Sequence, residues 1–264
     1  MTQTQYFGEF SWELLINVPL VYDLFLSNQL ASSVGCSGTE PFYFFTDKHQ
    51  TTDRNRDSGG GQYSVGGFYG KEVNLPFTNF PDYKSHYSNL AKEKEIFFKN
   101  PVITINNKST EEWSRNHDLN RIELDELELI VKKYPHHDIV YARPTVGLNF
   151  PDNCNHIEFE DKQLLKNFSN VYLDEDLQKK WDVDFNTMQL IAHSLSEKHF
   201  SAAGGNAVLA SFFGGINVIA TKSPEVLSRP VWSEGSYLEN ISNCKIFSFD
   251  SKTQLQQILS NQEK

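Results

Sequence analysis

The chain has 264 residues, 39% hydrophobic and 22% charged, enough for one large or two modest domains, each with its own core. Its formal charge of -10 at pH 7 argues against a nucleic-acid backbone or an anionic membrane as the main partner, yet leaves room for a local basic pocket that holds a small anion. Cys36, Cys154 and Cys244 show neither metal spacing nor a disulfide framework, and the opening residues lack a basic stretch followed by an apolar run, so a cytoplasmic location is expected.

Taken in chain order, Gln5 to Phe10 is predicted as a strand entering a helix from Trp12 to Asn28, kinked at Pro19. The apolar stretch Leu14 to Leu26 carries Asn17, Pro19 and Asp23, so it reads as a buried helix and not a membrane span. Pro41 to Thr46 is the next predicted strand. Asp47 to Gly70 is polar and rich in glycine (Ser58-Gly-Gly-Gly61, Gly66-Gly67), which predicts a loop, and Lys84 to Lys94 a charged helix or linker. Residues 1–98 thus make a reduced N-terminal α/β domain.

Residues 99–264 alternate short apolar runs with helical periodicity, the pattern of βα units on a parallel sheet. Strands are predicted at Pro101 to Asn106, Asp138 to Ala142, His156 to Phe159, Asn170 to Leu173, Phe200 to Ala203, Ile216 to Ala220 and Lys245 to Phe249. Helices fall between them. Leu124, Leu127, Ile130, Val131 and Tyr134 mark one, with acids at its start and lysines at its end. Others are expected at Lys162 to Phe168, Asn186 to Lys198, Ala207 to Phe213, and from Ser251 to Ser260. A doubly wound, Rossmann-like sheet follows.

In such sheets ligands bind beyond the carboxyl ends of the strands. Ser201-Ala-Ala-Gly-Gly-Asn-Ala-Val-Leu-Ala-Ser-Phe-Phe-Gly-Gly215 lets a ligand approach the backbone at Gly204, Gly205 and Asn206 and offers helix N–H groups to a phosphate, although the same glycines also suit tight helix–sheet packing. It lacks dinucleotide and P-loop spacing. Asn106, Asn107 and Lys108 end the first strand of this half in Ile105-Asn-Asn-Lys-Ser-Thr-Glu-Glu-Trp113, where Trp113 can stack on a ligand or pack. Arg143, in Tyr-Ala-Arg-Pro, can clamp a diphosphate or bridge a carboxylate. Asp174-Glu175-Asp176 has the D-x-D form of metal-dependent sugar transferases, or is a solvated loop. In Phe7-Gly-Glu-Phe-Ser-Trp-Glu13, Glu9 and Glu13 are possible general bases for an acceptor hydroxyl, and Glu13 equally suits a helix first turn.

In this order, Gly-Glu-Phe-Ser-Trp-Glu, Ile-Asn-Asn-Lys-Ser-Thr-Glu-Glu-Trp, Tyr-Ala-Arg-Pro and the Gly-Gly-Asn stretch resemble GT-B-type glycosyltransferases that build polysaccharides and glycans. The similarity covers most of residues 100–222 and little of 30–95. It implies two Rossmann-like domains facing a cleft, a nucleotide-diphosphate sugar as co-substrate, a glycan acceptor, and neither metal nor other cofactor. Carried over, Asn106, Asn107, Gly204, Gly205 and Asn206 bind the donor, with Lys108 and Arg143 aiding the leaving diphosphate. Gly8, Trp12 and Glu13 lie on the acceptor side with Glu9 as base. The chain is shorter than a typical member, so its N-terminal domain is pared down. Two other readings stand beside it: a metal-dependent GT-A-type transferase using Asp174-Glu175-Asp176, and a non-catalytic nucleotide- or glycan-binding protein.

Overall fold

The computed structural model of the chain describes residues 1–56, 79–111, 120–144, 155–156, 159–227 and 229–261. Strands β1 (Thr2–Gln5), β2 (Leu30–Cys36) and β3 (His49–Thr52) form a parallel sheet in that order. Between β1 and β2 runs one helical stretch. It opens with α1 (Phe10–Trp12), widens into a π turn (Glu13–Asn17) and continues as α2 (Val18–Leu26). Val18 N–H bonds to Glu13 O, five residues back, and the wide turn ends where Pro19, which has no N–H to give, joins the run. Helix α3 (Tyr83–Glu93) follows, its first turn capped by the Asp82 carboxylate on Ser85 N at 3.0 Å.

Several expectations change here. The helix starts at Phe10, and the strand before it ends at Gln5. Residues 40–43 form a tight 3-10 turn in place of the predicted strand: Pro41 favours the turn, and Phe42 and Tyr43 are both buried, which a continuous apolar run cannot distinguish from a core strand. Strand β2 hides behind the small polar residues Ala31-Ser-Ser33. Strand β3 lies inside the stretch expected as loop, because an edge strand only half-buried on one face needs no apolar residues. The Ser58–Gly61 and Gly66–Gly67 runs, Trp113 and Cys154 lie outside the described residues.

The second half supplies β4 (Val102–Asn106), β5 (Thr110–Glu111), α4 (Leu124–Lys133), β6 (Asp138–Ala142), β7 (Asn155–His156), α5 (Asp161–Leu165), β8 (Val171–Leu173) and α6 (Asp174–Trp181). There follow α7 (Phe185–Ser194), β9 (Ser196–Ala202), α8 (Gly205–Ser211), β10 (Gly215–Ala220), α9 (Pro224–Leu227), α10 (Tyr237–Ser242), β11 (Cys244–Phe249) and α11 (Lys252–Asn261). Six strands form one parallel sheet in the order β8-β6-β4-β9-β10-β11, while β5 and β7 pair antiparallel apart from it. The winding runs outward from β4 to β8, crosses back, and runs outward again from β9 to β11. This Rossmann-like order reverses between β4 and β9.

Helix α7 ends at Ser194, earlier than its periodicity implies. Residues 196–198 belong to β9, where Ser196 Oγ donates to Val102 O at 3.0 Å. The acids at 174–176 form the first turn of α6 and not a loop. One face of the large sheet is covered by α4 and α11 through Leu127, Ile130, Leu255 and Leu259. On the other face Met188, Ile191, Val208 and Leu209 join Leu14, Leu15, Val18 and Tyr83, so a single apolar cluster continues across residues 98 and 99. No helix among the described residues is long and apolar enough to cross a membrane.

Candidate functional site at the sheet reversal

Where strand order reverses, the chain leaves β4 and β9 in opposite lateral directions, the place at which open α/β sheets take their ligands. Lys108, two residues beyond β4, reaches across this point and donates from Nζ to Ala203 O at 3.0 Å. Gly204 has φ 134° and ψ -158°, a backbone region open to glycine alone, and a Cβ there would stand 3.8 Å from Lys108 Nζ. Gly204, Gly205 and Asn206 are half-buried at the surface of the turn. Lys108 and this turn therefore sit together, as expected from the strand ends.

The asparagines beside them are committed inward, contrary to a donor-binding role for their side chains. Asn106 donates to Gln189 Oε1 at 3.1 Å. Asn107 donates to Ile122 O (2.9 Å) and Tyr141 OH (3.1 Å), and its Oδ1 accepts from Ile122 N (2.9 Å). An amide so engaged stitches the loop after β4 to the start of α4.

Gly205 also answers to packing. A Cβ on it would stand 2.4 Å from Phe10 Cδ1, so the helix Phe10–Leu26 starts directly against the start of α8. Two helix starts thus lie close together near Lys108, each carrying the positive end of a dipole, and at the α8 start Ala207 N–H is already bonded to Gly204 O at 3.1 Å.

On the N-terminal side the loop after β1 is pinned. Tyr6 OH donates to Glu9 O at 3.1 Å, and Arg56 Nη1 donates to Gly8 O at 2.8 Å. Glu9 occupies the residue before the helix in extended backbone, is half-buried, and makes no capping hydrogen bond from its side chain. Trp12 is half-buried and packs on the core. Glu13 is wholly buried, with Arg56 Nη2 2.6 Å from Oε2 and Tyr43 OH donating to Oε1 at 3.0 Å. Asn17 Nδ2 in turn donates to Tyr43 OH at 2.6 Å. Burial by itself lowers the pKa of Arg56, but the Glu13 carboxylate more than offsets it and holds the guanidinium above its ordinary value. Glu13 is therefore a structural counter-ion, which corrects its reading as an acceptor-side or basic group.

Arg143 is likewise spoken for. Its Nε and Nη2 fork onto Asp161 at 2.5 and 2.8 Å, and Nη1 donates to Ser109 Oγ at 2.9 Å. The pair is buried, and the Tyr141 hydroxyl also donates to Asp161. This guanidinium locks the loops after β4 and β6 to α5 and presents no clamp to a diphosphate.

The D-x-D acids do not converge on one ion. Burial pushes Asp174 up to about 7, with Lys162 Nζ at 2.6 Å from Oδ1. Burial also raises Glu175, but hydrogen bonds from Asp174 and Lys162 prevail and bring it to about 2. Asp176 is exposed and lies about 200° around α6 from Asp174. Among the described residues no group of three or more His, Cys, Asp or Glu has the arrangement to hold a metal ion.

Sequence reasoning missed Arg56, Asp161 and Tyr43, since each acts on a partner 18 to 48 residues away and carries no local pattern. Charge opposite charge at such separations becomes visible only once strands are placed side by side. No family model, curated protein or solved structure matches the chain.

Proposed function

We propose that the protein is a glycosyltransferase that moves a sugar from a nucleotide-diphosphate donor to a hydroxyl of a glycan acceptor, in a GT-B-like arrangement of two Rossmann-like parts. The observation that carries this reading is the meeting, at the sheet reversal, of Lys108, the Gly204–Asn206 turn and the start of the N-terminal helix. A leaving diphosphate there gains an ammonium and two sets of helix N–H groups, and such preorganised donors supply the largest part of catalysis for a departing anion. In this reading Glu9, in the loop after β1 that leads into the N-terminal helix, takes the acceptor proton, while Glu13 and Arg143 keep the frame.

The reaction balances without a co-reactant. The acceptor oxygen bonds to the anomeric carbon, the bond from that carbon to the phosphate oxygen breaks with its electrons leaving on the diphosphate, and the acceptor proton passes to Glu9. Calorimetric titration with UDP, GDP, CDP and dTDP and their sugar conjugates tests the reading. At least one nucleotide is expected to bind below millimolar concentration, and the absence of binding by every one of them overturns it.

A further inference from the structure

We infer that Arg56 is the positioning residue that sets Glu9 for proton abstraction, acting through the backbone of the loop after β1; this rests on the transferase reading above. Arg56 follows β3, so it stands at the same edge of the three-stranded sheet as the end of β1. One planar fork makes both bonds: Nη1 to Gly8 O at 2.8 Å and Nη2 to Glu13 Oε2 at 2.6 Å. It thereby ties the peptide immediately before Glu9 to the first full turn of the following helix. The opposite side of the same short segment is held by Tyr6 OH on Glu9 O.

The surroundings concentrate on that one task. Both oxygens of Glu13 are occupied, by Arg56 and by Tyr43, and Tyr43 is itself fixed by Asn17. Arg56 stands 5.3 Å from the centroid of the Phe10 ring, the ring that touches Gly205, and Arg54 stacks over Phe7 at 4.4 Å. Two arginines from one strand end thus brace the two aromatic residues that flank Gly8-Glu9. A buried ion pair is a weak source of stability but a strong source of fixed geometry. Here the geometry fixed is that of the backbone on both sides of Glu9.

A lysine keeps the charge at this position but offers one point where two separate acceptors need a fork. The test compares wild type with Arg56→Lys, Arg56→Gln and Glu9→Gln. Each is titrated with the UDP, GDP, CDP and dTDP sugars, and release of nucleoside diphosphate is followed with water as acceptor across pH 5 to 9 (a window for carboxylate titration). Displacing a reacting group by about 1 Å costs on the order of 10²-fold in rate. Arg56→Gln is therefore expected to lose on the order of 10²-fold in kcat with donor Kd within about twofold of wild type. Its acid limb should move to higher pH as the neighbouring cation goes, Arg56→Lys should recover only part of the rate, and Glu9→Gln should abolish the limb.

Should Arg56→Gln not fold, Arg56→Lys decides by the same split between kcat and Kd. Unchanged kcat in a folded Arg56 variant, or a loss mirrored in donor affinity, overturns the inference. Wild type that binds a nucleotide sugar without ever releasing nucleoside diphosphate overturns it too, leaving the donor seat standing. Wild type that binds no nucleotide overturns the transferase reading itself.

Discussion

Two histidines are sealed in the core where they cannot charge, and this makes acid the sharpest probe of the fold. His193 on α7 and His199 on β9 are wholly buried, and their Nδ1 atoms lie 3.0 and 2.7 Å from the single hydroxyl of Thr104 on β4. The two Nδ1 atoms are 3.3 Å apart. One arrangement that also accounts for the short contact between the rings has the hydroxyl donate to one Nδ1 and accept from the other Nδ1–H, with both rings neutral. Burial, and then the Lys84 ammonium, push His199 down to about 3; burial, and then His199, push His193 well below its ordinary value.

The direction of the pH effect follows from proton counts. Below pH 6.5, the ordinary value for both, the unfolded chain takes up two protons that the fold refuses, so stability present above pH 6.5 is lost as pH falls. Each histidine contributes about 1.36 kcal/mol per pH unit, so from pH 6.5 to 4.5 the pair costs about 5 kcal/mol, a large share of a typical 5 to 15. Asp174, raised to about 7, runs the other way over much of this range, because protonating it relieves a buried charge. Differences between variants cancel that contribution. Urea unfolding of wild type and His199→Asn, followed by tryptophan fluorescence every half unit from pH 7 to 4.5, should give stability curves whose slopes differ by about 1.36 kcal/mol per pH unit. Asparagine keeps a polar atom near Thr104 but cannot titrate. Parallel curves would refute the claim that His199 is neutral in the fold.

Lys108→Ala should cost about 1 to 3 kcal/mol of unfolding free energy, since it strands the Ala203 carbonyl, and should weaken binding of a nucleoside diphosphate to the folded protein by about 1.5 to 3 kcal/mol, read by calorimetry. Gly205→Ala forces a Cβ to 2.4 Å from Phe10 Cδ1, and should destabilise by about 1 to 3 kcal/mol, with Phe10→Ala in the same chain recovering part of the loss in a double-mutant cycle. Asp161→Ala strands the Arg143 guanidinium and the Tyr141 hydroxyl in the interior and should cost about 3 to 5 kcal/mol of unfolding free energy by denaturant titration, a larger effect than at Lys108.

The winding of the large sheet was legible because most of its strands are short apolar runs separated by helical spacing, β9 (Ser-Glu-Lys-His-Phe-Ser-Ala) being the exception whose start was expected as helix. Val102 to Asn106, Asp138 to Ala142 and Gly215 to Ala220 carry that signature, and β4 and β6 are buried along their whole length. The small sheet was not, because β2 interrupts Leu30, Val34 and Cys36 with Ala, Ser and Gly, and β3 is His-Gln-Thr-Thr, so that β2 takes its strand identity from pairing with β1, and β3 from pairing with β2, more than from local preference. The same limit governs the site. Lys108 and Gly204 stand where strand-end reasoning puts them. Asn107 and Arg143 have the right chemistry in the right place, yet their hydrogen bonds are consumed by Ile122 and Asp161. A strand end says that a side chain is near the edge; only its partners say which way it is spent.

The Gly-Gly-Asn turn shows how packing and ligand binding can share one motif. Gly204 is required by its backbone angles and Gly205 by the ring of Phe10, so neither glycine needs a ligand to explain it. That packing is also what brings the second helix N-terminus to Lys108. In a chain of net charge -10, a concentration of positive potential at one edge opposes the average and has to be built locally. It is built by removing the counter-charges inward: Glu13 to Arg56, Asp161 to Arg143, Asp174 to Lys162. Arg56 and Arg143 each meet one buried carboxylate, while Lys162 is shared between Asp174 and Glu175. Lys108, itself buried, rests on the carbonyl of Ala203 beside the Gly204 turn, so the ammonium and the turn are held together by the fold.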